Sequence, residues 1–321
     1  MTSRVVVTGK IPQAGLDVLT SAGVTAKTWT SDVAMTRDEL LRSVAGAEIL
    51  LTLITEKIDV EVLDAAGSQL KAVCNVAIGF NNIDVDACNK RGIIVTNTPG
   101  VLTEATADIA LALILMVTRR LAEGERVIRS QTPWQWGMHY MLGSGIQHKQ
   151  LGIVGMGAIG AATARRALAC GMTIAYTNRR KVPAELEREL AMEQLSLNDL
   201  LATSDVVSVH CPFNDSTFHL LGKSQFGAMK KSAFLVNTAR GPIVDEDELV
   251  VALETGEIAG AGLDVFEQEP IVHRGLLNRD DVVLLPHLGS ATLETRSAMA
   301  RLGAKNAVAI ASGGEPITRV N

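Results

Sequence analysis

The sequence has few aromatic residues and few cysteines. Aromatic side chains make up 3% of its 321 residues, and no C-x-x-C pair occurs among its four cysteines: Cys74, Cys88, Cys170 and Cys211. This scatter predicts reduced thiols in the core of a cytoplasmic protein, and it indicates neither disulfides nor a metal site. We therefore expect a cytoplasmic protein that needs no metal.

A basic charge balance and a long apolar run are also missing. The formal net charge is −5, so the composition indicates no nucleic-acid partner. The apolar stretch 109–117 is too short to cross a membrane, and residues 1–4 lead directly into a strand pattern instead of a signal peptide. With 47% hydrophobic residues, the chain is long enough for two domains with sizeable cores. Its expected ligands are small molecules.

One glycine-rich segment lies between an apolar strand pattern and a helix pattern. Its residues have the G-x-G-x-x-G spacing of a dinucleotide-binding turn: Gly155, Met156, Gly157, Ala158, Ile159 and Gly160. The first glycine permits a tight turn, the second lets the backbone approach a pyrophosphate, and the third allows the helix to pack closely on the strand. The phosphates then lie at the helix N-terminus. We predict that this segment binds a dinucleotide.

The residues after the next strand pattern indicate which dinucleotide is bound. Chains that bind NAD place an Asp or Glu about 20 residues beyond the first glycines, whereas Arg accommodates the 2′-phosphate of NADP. Here that place is taken by Asn178, Arg179, Arg180 and Lys181, with no carboxylate among them. The turn therefore predicts NADP (NADPH) as the cofactor. The alternative is a basic turn that only faces solvent.

Strand and helix patterns alternate along the chain, which predicts α/β units with parallel sheets. Strands are predicted at 5–8, 48–53, 70–74, 92–95, 151–154, 173–176, 205–209, 233–236, 260–264 and 282–285. Helices are predicted from Pro12, from Val85 and over 158–170, and a single long helix over 102–129. A last helix, over 293–311, is expected to return to the first unit.

These patterns predict two domains. Residues 1–99 and 288–321 are expected to form a substrate-binding domain, and residues 100–287 a dinucleotide-binding domain. The chain would cross between them near Pro99 and near His287, with a hinge and a cleft at the crossings.

Three further segments resemble the signature sequences of the D-isomer-specific 2-hydroxyacid dehydrogenases. They are Asn237-Thr-Ala-Arg-Gly-Pro-Ile-Val-Asp-Glu246, Ala261-Gly-Leu-Asp-Val-Phe-Glu-Gln-Glu-Pro270 and Leu285-Pro-His-Leu-Gly-Ser-Ala-Thr292. The resemblance runs essentially end to end, and within the family the chain is similar to NADPH-dependent glyoxylate/hydroxypyruvate reductases and 2-ketogluconate reductases. It implies two doubly wound domains, one Rossmann-like for the cofactor and one flavodoxin-like for the substrate, and a homodimer.

Arg240, Glu269 and His287 occupy the positions of the family's catalytic residues. Reduction of a 2-keto acid needs a group that binds the carboxylate, a proton donor and a hydride. The planar, permanently charged guanidinium of Arg240 suits the carboxylate, and the imidazole of His287 suits the proton donor. Glu269 would orient that imidazole and stabilise its protonated form.

Other contacts follow from the resemblance alone. The backbone N–H groups of Ile78 and Gly79 resemble the family's loop for the substrate carboxylate. Cofactor contacts are expected from Thr106, Pro212, Thr238 and Asp264. Among these, Asp264 resembles the acceptor for the nicotinamide carboxamide. His210 matches no catalytic position and is expected to be structural.

Residues 131–140 place two of the three tryptophans in a segment typical of a loop. In related reductases, an aromatic loop at this place crosses the dimer and closes the substrate pocket of the other subunit. Trp136 resembles the residue that does so. The alternative is an aromatic anchor that only packs the dimer.

Two other functions stay open on the sequence. One is a nucleotide-sensing regulator with the same fold, although the full catalytic set argues against it. The other is an oxidoreductase of this fold that acts on formate or phosphite. Glu269 argues against formate, because the formate enzymes of the family carry Gln there, whereas phosphite is harder to exclude.

Overall fold

The computed structural model describes residues 4–321, and the chain divides into two compact units. Unit 1 contains the residues up to Leu102 together with Ala291–Asn321, and unit 2 contains Thr103–Ser290. The prediction that the first three residues precede a strand without a signal peptide lies outside the described residues. Within 4–321, no helix combines the length and the apolar character that a membrane crossing requires.

Unit 1 begins with alternating strands and helices. They are β1 (Val5–Val7), α1 (Gln13–Ser21), β2 (Ala26–Thr28), α2 (Arg37–Val44), β3 (Ile49–Thr52), α3 (Val60–Ala66), β4 (Ala72–Asn75), α4 (Val85–Lys90) and β5 (Ile94–Thr96). The strands form one parallel sheet in the order β2-β1-β3-β4-β5. β1, β3 and β4 are buried along their whole length, as expected for parallel strands covered on both faces.

Unit 2 is built on a seven-stranded parallel sheet. Its elements are α5 (Thr103–Thr118), α6 (Leu121–Arg129), β6 (Gln150–Val154), α7 (Ala158–Ala169), β7 (Thr173–Thr177), α8 (Ala184–Glu189), β8 (Glu193–Gln194), α9 (Leu197–Thr203), β9 (Val206–Val209), α10 (Lys223–Ala228), β10 (Phe234–Asn237), a 3-10 turn (Gly241–Ile243), α11 (Glu246–Thr255), β11 (Gly260–Leu263), α12 (Arg274–Leu277) and β12 (Val282–Leu284). The strand order is β12-β11-β10-β9-β6-β7-β8. The order reverses between β6 and β9, the kind of place at which doubly wound sheets bind ligands.

The last helix, α13 (Leu293–Ala311), belongs to unit 1. It packs against α1, where a Cβ added to Gly15 would lie 2.9 Å from the Cβ of Ala300. A Cβ added to Gly303 would lie 3.1 Å from the side chain of Leu51 in β3. Small residues thus let this helix approach both α1 and the sheet of its own unit.

The prediction of a single helix over 102–129 is wrong. The chain forms two helices, α5 and α6, because Arg120 between them adopts a left-handed conformation with φ of 54°. The guanidinium of Arg120 makes two hydrogen bonds to Glu123 in the first turn of α6. Neither glycine nor proline lies at the break, so the sequence contains none of the usual signals for it.

The prediction of four core thiols is also only half right. Cys74 and Cys88 are buried, and burial raises the pKa of Cys74 to about 12. Cys170 and Cys211 are only half-buried, because they follow the ends of α7 and β9, where the chain reaches the surface of the unit. All four are free thiols.

Candidate active site

The predicted functional residues of unit 2 follow the carboxyl ends of its strands. Gly155 comes after β6, Asn178 after β7, Arg240 after β10, Glu269 after β11 and His287 after β12. Parallel strands end at the same edge of a sheet, so the topology alone brings these residues to one side of the unit.

Glu269 and His287 form a hydrogen-bonded pair at this edge. The Nδ1 atom of His287 lies 2.8 Å from Oε2 of Glu269, and the N–H of Phe266 donates to Oε1 of Glu269 at 3.0 Å. Both side chains are about one-third exposed. Within residues 4–321, the Nε2 atom of His287 has no hydrogen-bond partner. This nitrogen is therefore available to a bound molecule.

The surroundings of Glu269 favour its charged form. Burial alone would raise its pKa, but the hydrogen bond and charge of His287, the N–H of Phe266 and the charge of Arg240 together hold the pKa of Glu269 below its ordinary value. A carboxylate that stays ionised beside an imidazole stabilises the protonated imidazole. The pair is thus arranged as a proton donor with a fixed counter-charge.

Asp264 holds the backbone that carries His287. Its carboxylate accepts hydrogen bonds from the N–H groups of Leu288 and Gly289 at 2.6 and 2.8 Å, and its C=O accepts from the N–H of His287 at 2.9 Å. Burial raises the pKa of Asp264, and the two amides oppose that rise. His287 has a φ of 55°, which a residue with a side chain seldom adopts without such support. The contact of Asp264 with a carboxamide stays a prediction.

Arg240 lies half-buried in a loop shaped by Asn237. The Nδ2 atom of Asn237 donates to the C=O of Arg240 at 2.9 Å, and its Oδ1 accepts from the N–H of Ala239 at 3.0 Å. A Cβ on the next residue, Gly241, would lie 1.9 Å from the carbonyl carbon of Phe266, so only glycine fits there. Burial lowers the pKa of Arg240, whereas the nearby charge of Glu269 raises it.

These side chains have a definite chemical capacity. A guanidinium binds a carboxylate through parallel N–H groups. A histidine that has one nitrogen bonded to a protein carboxylate can use its other, free nitrogen to donate a proton. The acceptor would be an oxygen next to the carboxylate that the guanidinium binds. Arg240, Glu269 and His287 therefore suit acid–base chemistry at a carbonyl adjacent to a carboxylate.

The turn after β7 presents two exposed cations. The side chains of Arg179 and Arg180 are exposed, and within residues 4–321 neither makes an ion pair. Lys181, by contrast, is paired with Glu187 at 3.2 Å. Asn178 shapes the turn by donating from Nδ2 to the C=O of Arg180 at 3.1 Å.

Unit 1 holds the loop that contains Ile78 and Gly79. The C=O of Ile78 accepts from Nδ2 of Asn97 and the C=O of Gly79 accepts from Nδ2 of Asn75, both at 2.8 Å. The N–H groups of Ile78 and Gly79 have no acceptor within residues 4–321. Free backbone N–H groups are donors to which a bound carboxylate can hydrogen-bond. The sequence predictions missed both asparagines, whose signal was their position at the ends of β4 and β5.

Four other predicted residues have varied surroundings. The hydroxyl of Thr106 donates to the C=O of Gly289 at 3.1 Å. The side chain of Met156 is buried, so only the backbone of Met156 can contact a ligand. The hydroxyl of Thr238 is buried without a partner within the described chain. The C=O of Pro212 accepts from Thr217 at 2.9 Å. Thus no contact within the unit occupies the hydroxyl of Thr238, whereas that of Thr106 already has an acceptor.

His210 lies apart from this chemistry. Its Nε2 atom is 2.8 Å from the hydroxyl of Ser208, and burial lowers the pKa of His210 to about 4. A histidine that stays neutral near pH 7 and bonds to a strand serine is suited to a structural role.

A model of the family described as "D-isomer specific 2-hydroxyacid dehydrogenase, NAD binding domain" matches residues 111–289, more than half of the chain. This chain belongs to the D-isomer-specific 2-hydroxyacid dehydrogenase family. The matched range includes the glycine-rich turn, Arg240, Glu269 and His287. The glyoxylate reductase of Thermococcus litoralis is 44% identical, and the alignment covers 100% of this chain and 97% of that protein.

Solved structures agree with this 2-hydroxyacid dehydrogenase assignment. A glyoxylate reductase from Paecilomyes thermophila has a TM-score of 0.89 and 36% identity, covering 99% of this chain and 98% of its own. An NADPH-dependent glyoxylate/hydroxypyruvate reductase from Sinorhizobium meliloti, solved with NADP and malonate, has a TM-score of 0.85 and 34% identity, covering 100% and 97%. The family and the fold class predicted from the sequence are thereby confirmed.

The glycine-rich turn of this 2-hydroxyacid dehydrogenase fits the nicotinamide dinucleotide that the family uses. Gly155 has a φ of 99°, and a Cβ there would lie 2.4 Å from the backbone nitrogen of Cys211. A Cβ on Gly160 would lie 2.5 Å from the C=O of Gly155. At Gly157, the residue before α7, a Cβ would meet nothing within 4 Å. The turn is thus packed on its inner side and open where a pyrophosphate would approach.

Proposed function

We propose that this dehydrogenase uses NADPH to reduce a small 2-keto acid, glyoxylate or hydroxypyruvate, giving the D-2-hydroxy acid where the product is chiral. The observation that carries the proposal is the Glu269–His287 pair, with a free imidazole nitrogen and the charge of Arg240 close by. The glyoxylate reductases among the relatives support the same substrate class.

In this reaction Arg240 binds the substrate carboxylate and polarises the neighbouring carbonyl. His287 donates the proton of Nε2 to the carbonyl oxygen as that oxygen becomes a hydroxyl. Glu269 stabilises the imidazolium before the transfer and orients its ring. The N–H groups of Ile78 and Gly79 are a proposed second contact to a carboxylate. The nicotinamide, when bound, supplies the hydride.

The preference for NADPH is proposed from the charge of one turn. Arg179 and Arg180 are exposed and unpaired within residues 4–321, so either can contact a 2′-phosphate at no cost to an existing ion pair. Such a charge-assisted contact contributes roughly 1.5–3 kcal/mol, and about 1.4 kcal/mol is tenfold in affinity. Arg179→Ala should therefore weaken NADPH about tenfold or more and NADH little. Arg188→Ala, which removes an exposed cation of α8, is the matched control.

We also propose a homodimer in which Trp136 contributes to the active site of the other subunit. In the loop after α6, the exposed fractions of Trp136 and Met138 are 73% and 75%. The ring of Trp134 stacks on that of Tyr140, with the ring centroids 6.2 Å apart. α6 itself has no buried residue. Exposed apolar side chains grouped on one loop are typical of an interaction site. Sedimentation of the purified protein should show a dimer. Trp136→Ala should change KM for the keto acid while leaving the affinity for NADPH intact. Unchanged kinetics would contradict the active-site role.

An activity screen tests the function itself. The purified protein is assayed for reduction of glyoxylate, hydroxypyruvate, 2-ketogluconate and pyruvate with NADPH and with NADH, and for phosphite oxidation with both oxidised cofactors. We expect turnover of glyoxylate or hydroxypyruvate, faster with NADPH, without added metal. Cofactor binding with no turnover of any 2-keto acid would favour the regulator, and equal kcat/KM for the two cofactors would show that the basic turn only faces solvent.

A further inference from the structure

A second histidine in unit 2 lies between two carboxylates. The Nε2 atom of His219 is 2.8 Å from Oε1 of Glu267, and its Nδ1 atom is 3.2 Å from Oδ2 of Asp245. Its ring stacks on Phe218, with the ring centroids 3.9 Å apart. The ring thus bridges the two carboxylates, with a hydrogen bond to Glu267 on one side and the carboxylate of Asp245 at 3.2 Å on the other.

One side of this bridge leads to Glu269. Glu267, two residues before Glu269, is held by His219 at its side chain and by Glu246 at its backbone, where its N–H donates to Oε1 of Glu246 at 2.8 Å. The preceding residue, Phe266, donates its N–H to the carboxylate of Glu269. A short chain of hydrogen bonds and peptide links therefore joins the ring of His219 to the carboxylate that orients the catalytic imidazole.

The other side leads to the loop of Arg240. The N–H of His219 donates to the C=O of Pro242 at 2.9 Å, and Asp245, whose carboxylate lies 3.2 Å from Nδ1 of His219, caps α11. His219 has a φ of 47°, a left-handed conformation that persists only where the surroundings enforce it. His219 thus connects the two loops that carry Arg240 and Glu269.

We propose that His219 is a positioning residue that keeps the Glu269 carboxylate bonded to His287 during the reduction. The inference rests on the proposed function, since it needs a turnover that depends on His287. Both ring nitrogens of His219 are engaged by carboxylates, which leaves neither for a substrate. Without the ring of His219, Oε1 of Glu267 loses its hydrogen bond, while the charges of Glu267 and Glu246 still repel each other.

The test is steady-state kinetics of His219→Ala with glyoxylate and NADPH. We expect kcat to fall about tenfold with KM for NADPH unchanged, because a small displacement of a catalytic group is enough for such a factor. The alkaline limb of kcat should move to lower pH, since a displaced Glu269 stabilises the imidazolium of His287 less. His219→Gln, which keeps a donor for Glu267, should recover part of kcat.

His273→Ala is the matched control. His273 is also paired with a carboxylate, at 3.0 Å from Asp247, but it makes no hydrogen bond to residues 266–269 within the described chain. Its removal should leave kcat and the pH profile unchanged. A fall in kcat as large as that of His219→Ala would show that loss of any histidine pair in this unit has the same effect, and it would overturn the proposal.

A double-mutant cycle separates positioning from general stability. If His219 acts through Glu269, adding His219→Ala to Glu269→Gln should change kcat by less than about twofold, because residues that act through one another are not additive. A lowered melting temperature with kcat and the pH profile of the wild type would make the role structural and the proposal wrong. If the wild-type protein reduces no 2-keto acid, the proposed function fails, and this inference fails with it.

Discussion

The two regions proposed to contact the substrate are built by different physics. In unit 2, charged groups surround His287: Glu269 bonds to its ring, Asp264 accepts from the backbone next to it, and the charge of Arg240 helps to lower the pKa of Glu269. In unit 1, the loop of Ile78 and Gly79 is held by the neutral amides of Asn75 and Asn97. A charged site can transfer protons and is sensitive to pH, whereas a loop fixed by amides can only bind. On the proposed function, proton transfer therefore belongs to unit 2, whereas the loop of unit 1 only adds a contact to the carboxylate that Arg240 also binds.

The largest expected effect comes from His287→Ala. If His287 is the proton donor, as proposed, its removal should lower kcat for glyoxylate on the order of 10²–10⁴-fold, the usual range for a general acid. The affinity for NADPH, measured by fluorescence titration, should stay at the wild-type value because His287 is proposed to act on the keto acid and not to bind the cofactor. A kcat within about threefold of wild type would place the proton donor elsewhere.

Arg240→Ala should have the next largest effect and should change two parameters together. The guanidinium is proposed both to bind the substrate and to orient it, so KM should rise and kcat should fall, with kcat/KM lower by roughly 10²–10³-fold. Arg240→Lys keeps the charge but loses the planar fork, and it should restore activity only in part. If KM alone changes, Arg240 binds the substrate without a part in orienting it.

Asn97→Ala tests the neutral loop and should have the smallest effect. The substitution removes one hydrogen bond to the C=O of Ile78. Such a bond contributes a net 0.5–1.5 kcal/mol, so KM should rise by about 2- to 10-fold. The rise should be confined to KM for the keto acid, with kcat and the pH profile unchanged. Asn89→Ala, which removes an exposed asparagine of the same unit, is the control. A shift in the pH profile of Asn97→Ala would contradict the division between the two regions.

The same difference explains what the sequence could predict. Glycine spacing, the apolar strands and the motifs around Arg240, Glu269 and His287 are local patterns, and they predicted the fold class and the candidate residues. The supports of the site are not local: Asp264 reaches Gly289 over 25 positions, and His219 reaches Glu267 over 48. The break at Arg120 coincides with a left-handed residue bonded to Glu123 and carries no glycine or proline signal, so the single long helix was predicted wrongly.

The central claim is that an ionised Glu269 keeps His287 protonated for the reduction. Its most direct test is the pH profile of kcat for glyoxylate reduction in the wild type and in Glu269→Gln. In the wild type the pKa of Glu269 is held below its ordinary value. The carboxylate is therefore charged above that pKa, and it loses its charge only when the pH falls through it. A neutral glutamine no longer favours the imidazolium, so the alkaline limb should move to lower pH. Superimposable profiles for the two proteins would remove Glu269 from the mechanism.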